Sequence, residues 1–311
     1  VRGDIMQDAK GKKGFWYNII KYKYLYLMLA PVLIYYLVFH YLPMYGVVIG
    51  FMKYSPAVPF FKNEWRGLYY FKEFFSGIYA FRLIRNTFMI NLYGLIFGFP
   101  APILLAIMLN EVRNKPFKKF VQTVSYIPHF ISTVVAVGIV LSFVSYDGLI
   151  NEIIAFMGGE KIQFMTEEKL FYPIYVASGI WQNLGWNSIV YLAAITAIDP
   201  SLYEAAYMDG ATRWQQIRMI TIPGILPTII IMLILQIGNM MSVGFEKVFL
   251  MQNPSIYETA DVISTYVYRK GLIELNYSYS AAIGLFNSVV NFVLLVFANF
   301  MSRKLSENSL W

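Results

Sequence analysis

Six long apolar runs fill most of the chain, and each is long enough to cross a lipid bilayer as an α-helix. A bilayer core takes about 20 consecutive apolar residues of helix. Such runs occupy residues 24–42, 87–109, 127–144, 175–198, 225–243 and 279–301. Of the 311 residues, 58% are hydrophobic and 14% are charged, too few charges to cover the surface of a soluble domain. We therefore predict an all-α integral membrane protein with six transmembrane helices.

The basic residues around the first run predict the orientation of the chain. The residues before this run include Arg2, Lys10, Lys12, Lys13, Lys21 and Lys23, whereas Lys53 alone lies just beyond it. Lys and Arg collect on the cytoplasmic side of membrane spans. We therefore predict a cytoplasmic N-terminus and, after six spans, a cytoplasmic C-terminus. In this interpretation residues 1–23 form a cytoplasmic or interfacial segment, 24–301 the transmembrane domain and 302–311 a cytoplasmic tail.

Residues 199–223, between the fourth and fifth runs, carry the local signals of two short helices joined by a sharp turn. Asp199 can cap the N-terminus of the first helix, and Gly210 can end that helix in a left-handed conformation. Thr212 with Gln215 forms a capping box for the second helix, and Pro223 closes it. Two helices joined in this way would project from the bundle as a rigid unit. Such a unit is suited to docking on another protein.

The same stretch resembles the EAA loop of ABC importer permeases. The resemblance rests on Glu204-Ala205-Ala206, on Gly210 and, nine residues later, on Ile220-Thr221-Ile222-Pro223, with Ile222 where the family usually has leucine. Stretches at 39–46, 244–250, 261–269 and 309–311 are similar to permeases of the polysaccharide-uptake branch of the carbohydrate importers. We call residues 199–223 the EAA segment.

The resemblance implies a type I ABC importer permease fold. In that family two homologous permease subunits pair in the membrane, each EAA loop inserts into one of two ATPase subunits, and an extracytoplasmic solute-binding protein delivers the carbohydrate. The residues of this chain expected to couple to the ATPase are Glu204, Ala205, Ala206, Asp209, Gly210, Ile220 and Pro223. The implied location is the bacterial cytoplasmic (inner) membrane. The implied substrate is an oligo- or polysaccharide, such as uronic-acid fragments of alginate or pectin.

Several kinds of chemistry are missing from the sequence. There is no G-x-x-x-x-G-K-[ST] phosphate-binding loop, no cysteine, and no histidine besides His40 and His129. We therefore expect a non-catalytic chain that binds no metal and no cofactor, with ATP and Mg used by the partner ATPase. The net charge of +7 is scattered among the membrane flanks, which favours contact with anionic lipid and not with nucleic acid.

Polar side chains inside the spans predict the path of the substrate, because such residues are costly in a membrane and tend to be functional. The candidates are Trp181, Asn183, Trp186, Asn187 and Tyr191 in the fourth span, Gln236, Asn239 and Glu246 on a stripe of the fifth, and Asn287 and Asn291 in the sixth. Amides and aromatic rings suit the hydroxyls and C–H faces of a sugar. The alternative is that these amides hold helices together, and that Glu246 pairs with Lys247.

Two other function classes compete with the permease. An ion-coupled secondary transporter is also a bundle of apolar helices, but it normally carries ionisable residues within its spans and broken or repeated helices. The spans here contain almost no such groups. A membrane-embedded enzyme would need catalytic groups, and neither H-E-x-x-H nor G-x-S-x-G occurs. The ion-coupled transporter is the alternative hypothesis.

Overall fold

The computed structural model describes residues 21–305, and these are mainly helical. The helices are α1 (Lys23–Phe51), α2 (Tyr69–Ser76), α3 (Ala80–Glu111), α4 (Lys115–Phe130), α5 (Thr133–Phe143), α6 (Leu149–Phe156), α7 (Glu168–Thr196), α8 (Pro200–Met208), α9 (Arg213–Gly238), α10 (Phe245–Met251), α11 (Tyr257–Ala260), α12 (Ile263–Tyr268) and α13 (Tyr277–Leu305). A two-residue antiparallel ribbon pairs β1 (Met52–Lys53) with β2 (Glu64–Trp65). The chain divides into two compact units, Val1–Ile49 and Gly50–Trp311.

Within residues 21–305, the helices α1, α3, α9 and α13 are each long and apolar enough to cross a membrane. Two further pairs are long and apolar enough only when taken together: α4 with α5, bent by 105°, and α7 with α8, bent by 68°. The described part of the chain thus has four to six membrane-crossing segments, and each of the six predicted runs overlaps one of them. The predicted N-terminal segment and C-terminal tail lie mostly outside the described residues.

The third predicted span is not one straight helix. Helix α4 ends in a tight 3₁₀ turn that contains Pro128, and Ile131 after it is extended, with ψ of 134°. The hydroxyl of Ser132 then caps α5 by accepting a hydrogen bond from the N–H of Val135. Because α5 has only 11 residues, the span predicted over 127–144 is replaced by a sharply bent pair.

Pro223 does not close a helix, contrary to the prediction. It lies inside α9, directly after a wide π turn over Ile217–Thr221, in which the N–H of Ile222 donates to the carbonyl of Ile217. A proline lacks the N–H and crowds the carbonyl four residues earlier, so a wider turn before it lets the helix continue. The same arrangement precedes Pro43 and Pro100. The predicted fifth span also ends earlier than 243, because α9 stops at Gly238.

Three buried apolar clusters hold the helices of the second unit together. The first joins α2, α3, α12 and α13, and the second joins α3, α5, α7, α10 and α11. The third joins the C-terminal ends of α3 and α7 to the middle of α9. Small residues allow close backbone contact, as is usual between membrane helices. At Gly185 of α7, a Cβ would overlap the carbonyl oxygen of Ser125 in α4. The bundle therefore fixes α7 against both α3 and α4.

Candidate functional site: the EAA segment and the central cavity

Helix α8 is bounded by the two caps that the sequence predicts. The carboxylate of Asp199 accepts a hydrogen bond of 2.9 Å from the N–H of Ser201, and this bond lowers the pKa of the Asp199 carboxyl. At the other end Gly210 has φ of +79°. The N–H of Gly210 donates to the carbonyl of Tyr207 at 3.1 Å, and the N–H of Ala211 donates to that of Ala206 at 2.9 Å. These two bonds form a Schellman C-cap, so the predicted left-handed turn is confirmed.

Helix α9 begins with the predicted capping box and holds α8 in a fixed position. The hydroxyl of Thr212 accepts from the N–H of Gln215 at 3.4 Å, and the N–H of Thr212 donates to the side chain of Gln215 at 2.7 Å. Thr221, the last residue of the π turn, shares a hydrogen bond of 2.9 Å with the hydroxyl of Tyr203 in α8. The EAA segment is therefore a short helix attached rigidly to a long one.

The predicted coupling residues divide between two helices. Glu204, Ala205, Asp209 and Gly210 are exposed on α8 and its C-terminal turn, and Ala206 is half-buried. Ile220 and Pro223 lie further along, within α9. The exposed surface beside them is apolar, formed by Tyr207, Met208, Trp214 and Met219. Large exposed apolar groups next to the carboxylates of Glu204 and Asp209 are typical of a surface that docks on another protein.

A central cavity of about 330 Å³ lies between α3, α7, α9 and the loop that follows α9. Eight residues of α7 line it, and five of them recur at four-residue steps: Tyr175, Gly179, Asn183, Asn187 and Tyr191. Four residues advance a helix by 400°, so these positions share one face. We call these five residues the α7 row. Of the predicted pathway residues, Asn183, Asn187, Tyr191 and Gln236 line the cavity together.

The amides in this cavity differ in how many of their hydrogen bonds are already made. Asn183 is bound on both sides, with its Oδ1 3.0 Å from Nδ1 of His129 and its Nδ2 donating to the carbonyl of Gly179. Asn187 and Gln236 have no side-chain hydrogen bond to any residue in 21–305. Polar groups that face a cavity without a protein partner are available to a polar ligand.

Trp181 and Trp186 do not face the cavity, although the sequence analysis placed them beside its polar face. On a helix that turns 100° per residue they lie about 120° and 100° away from Asn187. Trp181 lines an apolar groove with residues of α5 and α6. Trp186 stacks on the ring of His129, with the ring centres 4.5 Å apart and the planes 4° apart. The prediction that they flank the pathway is therefore not supported by their position.

The predicted stripe of Gln236, Asn239 and Glu246 does not exist, because α9 ends at Gly238. Asn239 is exposed and its Nδ2 donates back to the carbonyl of Leu235. Glu246 is exposed in α10 and forms no ion pair with Lys247. In α13, Asn291 joins elements as the alternative reading expected: it accepts from the N–H of Met241 and donates to the hydroxyl of Ser242, both at 2.8 Å.

Asn287, one turn earlier in α13, is half-buried, and its buried Oδ1 has no partner among the described residues. It does not line the central cavity. The cavity instead contains polar residues that the sequence analysis missed: Asn91, Ser242 and Tyr175. Asn91 lies inside the second apolar run, so the rule applied to the other spans would have found it. Ser242 could not be placed by the sequence, because it lies in a loop that was assigned to a helix.

Lys247 is also close to the cavity. Its Nζ donates a hydrogen bond of 3.0 Å to the carbonyl of Tyr175 and lies 4.5 Å from the centre of that residue's ring. Burial lowers the pKa of the Lys247 ammonium group to about 8. The ion pair with Glu246 that the sequence suggested for this lysine does not form.

A buried polar cluster lies at the opposite end of α7 from the EAA segment. The side chain of Asp261 is fully buried and accepts hydrogen bonds from Arg269 at 2.8 Å and Arg82 at 3.2 Å. Asn86 of α3 donates to the carbonyl of Asp261 and accepts from the hydroxyl of Tyr172 in α7. The cluster therefore ties α3, α7 and α12 together. Neither this cluster nor any other part of residues 21–305 contains a group of three or more His, Asp and Glu side chains suited to a metal.

Comparison with known proteins identifies the family. A family model described as "Binding-protein-dependent transport system inner membrane component" matches residues 98–307. The polygalacturonan/rhamnogalacturonan transport system permease protein YteP of Bacillus subtilis is 46% identical over 96% of this chain and 94% of its own length. Protein LplB of the same organism is 46% identical over 97% of this chain and 95% of its own.

Solved structures agree with this result. A chain from the crystal structure of a bacterial alginate ABC transporter in complex with alginate pentasaccharide-bound periplasmic protein has a TM-score of 0.88 to this chain. The two are 44% identical, and the similarity covers 95% of this chain and 99% of the other. The chain therefore belongs to the family of binding-protein-dependent transport system inner membrane components, the permease subunits of type I ABC importers.

Proposed function

We propose that this chain is a permease subunit through which an ATP-driven importer takes an acidic oligo- or polysaccharide into the cytoplasm. The family argues against the ion-coupled secondary transporter considered above. The observation that carries the proposal is the central cavity, whose free amides and aromatic rings suit a saccharide. Similar proteins are named for polygalacturonan, rhamnogalacturonan and the acidic polysaccharide alginate, which supports an acidic substrate.

The proposed importer complex has partners on both sides of the membrane. The EAA segment docks on one of two ATPase subunits, which hold the ATP and Mg. This chain is non-catalytic and binds no cofactor of its own. A second, homologous permease completes the membrane unit, and a solute-binding protein delivers the saccharide from the other side. The protein lies in the bacterial inner membrane, and its N- and C-termini and its EAA segment are on the cytoplasmic side. The periplasmic protein present in the similar alginate transporter structure supports this arrangement.

Uptake in proteoliposomes tests the proposed function. Vesicles containing both permeases and the ATPase subunits are expected to accumulate radiolabelled trigalacturonate only when ATP and loaded solute-binding protein are both present. Uptake that follows an imposed proton or sodium gradient without ATP would instead show a secondary transporter.

The purified chain alone is expected to show no ATP hydrolysis above background. Its sequence has no phosphate-binding loop, and its exposed EAA segment offers docking groups without catalytic ones. Phosphate release is measured for the chain, for the ATPase subunits and for the full complex. Hydrolysis by the chain alone at a rate close to that of the complex would contradict the division of labour.

Asn187→Ala is expected to lower uptake by about three- to tenfold, the loss that goes with one hydrogen bond. Its amide faces the cavity without a protein partner, so the substitution removes a group offered to the saccharide. Asn239→Ala is the matched control, because that amide is exposed outside the cavity. Trp186→Ala is expected to act through the packing of His129. Equal uptake by Asn187→Ala and the wild type would assign Asn187 to packing.

A further inference from the structure

Lys247 is placed against the wall of the central cavity. It lies in the first turn of α10, three residues after Gly244, which itself lines the cavity. Its Nζ binds the carbonyl of Tyr175, the first residue of the α7 row. The ammonium group is therefore fixed at the end of the row, where the loop after α9 closes the cavity.

Gly179 leaves this ammonium group uncovered on the side of the row. A Cβ built at position 179 would lie 3.3 Å from Nζ, and Gly179 itself lines the cavity. A larger side chain at this position would crowd the ammonium group. The ammonium group of Lys247 thus lies beside the first two residues of the α7 row, and the amides of Asn183 and Asn187 follow along the same row.

The charge of Lys247 has no carboxylate partner. No Asp or Glu oxygen in residues 21–305 forms an ion pair with it, and neighbouring Glu246 is exposed. One hydrogen bond to a carbonyl leaves two of its three N–H donors without a protein acceptor. Burying a cation without an opposite charge is costly, and in a membrane protein such a residue is by default a functional candidate.

We propose that Lys247 binds a carboxylate of the saccharide at the Tyr175 end of the α7 row and thereby selects acidic over neutral saccharides. This assignment rests on the proposed function. The other role open to the side chain is structural, holding α10 against α7 through the carbonyl and ring of Tyr175. The structural role depends on hydrogen bonding and packing, whereas recognition of a carboxylate depends on charge. Variants that change the charge of the side chain therefore distinguish the two roles.

The test compares Lys247→Arg, Lys247→Gln and Lys247→Glu in the complete importer, reconstituted with its solute-binding protein. The probe is radiolabelled trigalacturonate, and the readouts are uptake per ATP hydrolysed and the melting temperature of the complex. Glu246→Gln is the matched control, since it changes one charge on the same short helix at an exposed position. Loss of one member of a buried charge pair corresponds to at least about a tenfold effect.

We expect uptake per ATP to follow charge: near wild type for Arg and for Glu246→Gln, about tenfold or more lower for Gln, and lower still for Glu. The melting temperatures are expected to stay close together. Wild-type uptake by Lys247→Gln, or losses that only parallel a fall in melting temperature, would overturn the assignment and leave the proposed function standing. A wild-type importer that does not take up trigalacturonate under any condition would overturn both the assignment of Lys247 and the proposed function.

Discussion

Replacing Gly210 with valine is expected to abolish uptake while leaving the chain inserted in the membrane and paired with its partner permease. Gly210 ends α8 with φ of +79°, a region that β-branched residues strongly disfavour. The substitution costs about 1–3 kcal/mol of local strain or tilts α8 to relieve it. No atom outside Gly210 and its two chain neighbours lies within 4 Å of the Cβ position, so the effect arises in the backbone and not from a clash with a packed neighbour.

Uptake and ATPase activity in proteoliposomes measure this effect. The ATPase subunits of Gly210→Val are expected to dissociate, or to hydrolyse ATP without moving saccharide, because α8 no longer presents Glu204 correctly. Gly210→Asn is the matched control, since asparagine adopts the left-handed region more readily than other residues with a side chain. Glu204→Ala is expected to do less than the valine, because it leaves the backbone unchanged. Coupled transport by Gly210→Val at the wild-type rate would show that this turn does not transmit the movement.

Replacing Asp261 with alanine is expected to destabilise the chain severely. The carboxylate is fully buried, and it is the acceptor for Arg269 and one of the acceptors for Arg82. Removing one member of a buried ion pair costs about 3–5 kcal/mol. Here it leaves Arg269 without its carboxylate, while Arg82 keeps Glu258. Since Thr265 also donates to this carboxylate, the start of α12 loses its anchor as well.

The melting temperature of the purified chain in detergent checks this prediction. Glu64→Ala provides the control: its ion pair with Arg66 has the same chemistry but is largely exposed, so its loss costs only about 0–1 kcal/mol. We expect the Asp261 variant to aggregate or to melt many degrees lower than the Glu64 variant. Similar melting temperatures for the two variants would show that the buried cluster adds nothing to stability.

Local chemistry made part of this structure predictable from the sequence. The left-handed turn at Gly210 and the capping box of Thr212 and Gln215 depend only on residues a few positions away, and both predictions are confirmed. The apolar runs depend only on length and composition, so their existence was predictable as well. The resemblance to type I ABC importer permeases, based on the EAA segment, is confirmed by the family and by the solved structures.

Features that depend on neighbouring helices were not predictable. Pro223 looks like a helix end in sequence, and only the π turn before it explains why α9 continues. An apolar run does not distinguish helix from the loop after Gly238, so Asn239 and Glu246 were placed on a stripe that does not form. The ion pair of Asp261 with Arg82 joins residues 179 positions apart, and no local pattern indicates it.

The unbroken course of α9 makes the EAA segment and the central cavity two ends of one rod. Arg213 lies at the EAA end and Gln236, near the other end, lines the cavity. At 1.5 Å per residue these two positions are roughly 35 Å apart along the axis. A pivot of about 10° at the Arg213 end therefore displaces Gln236 sideways by about 6 Å. That displacement is close to the edge of a cube holding 330 Å³. By this leverage, a rotation of about 10° imposed on the EAA segment would move Gln236 by about the width of the cavity.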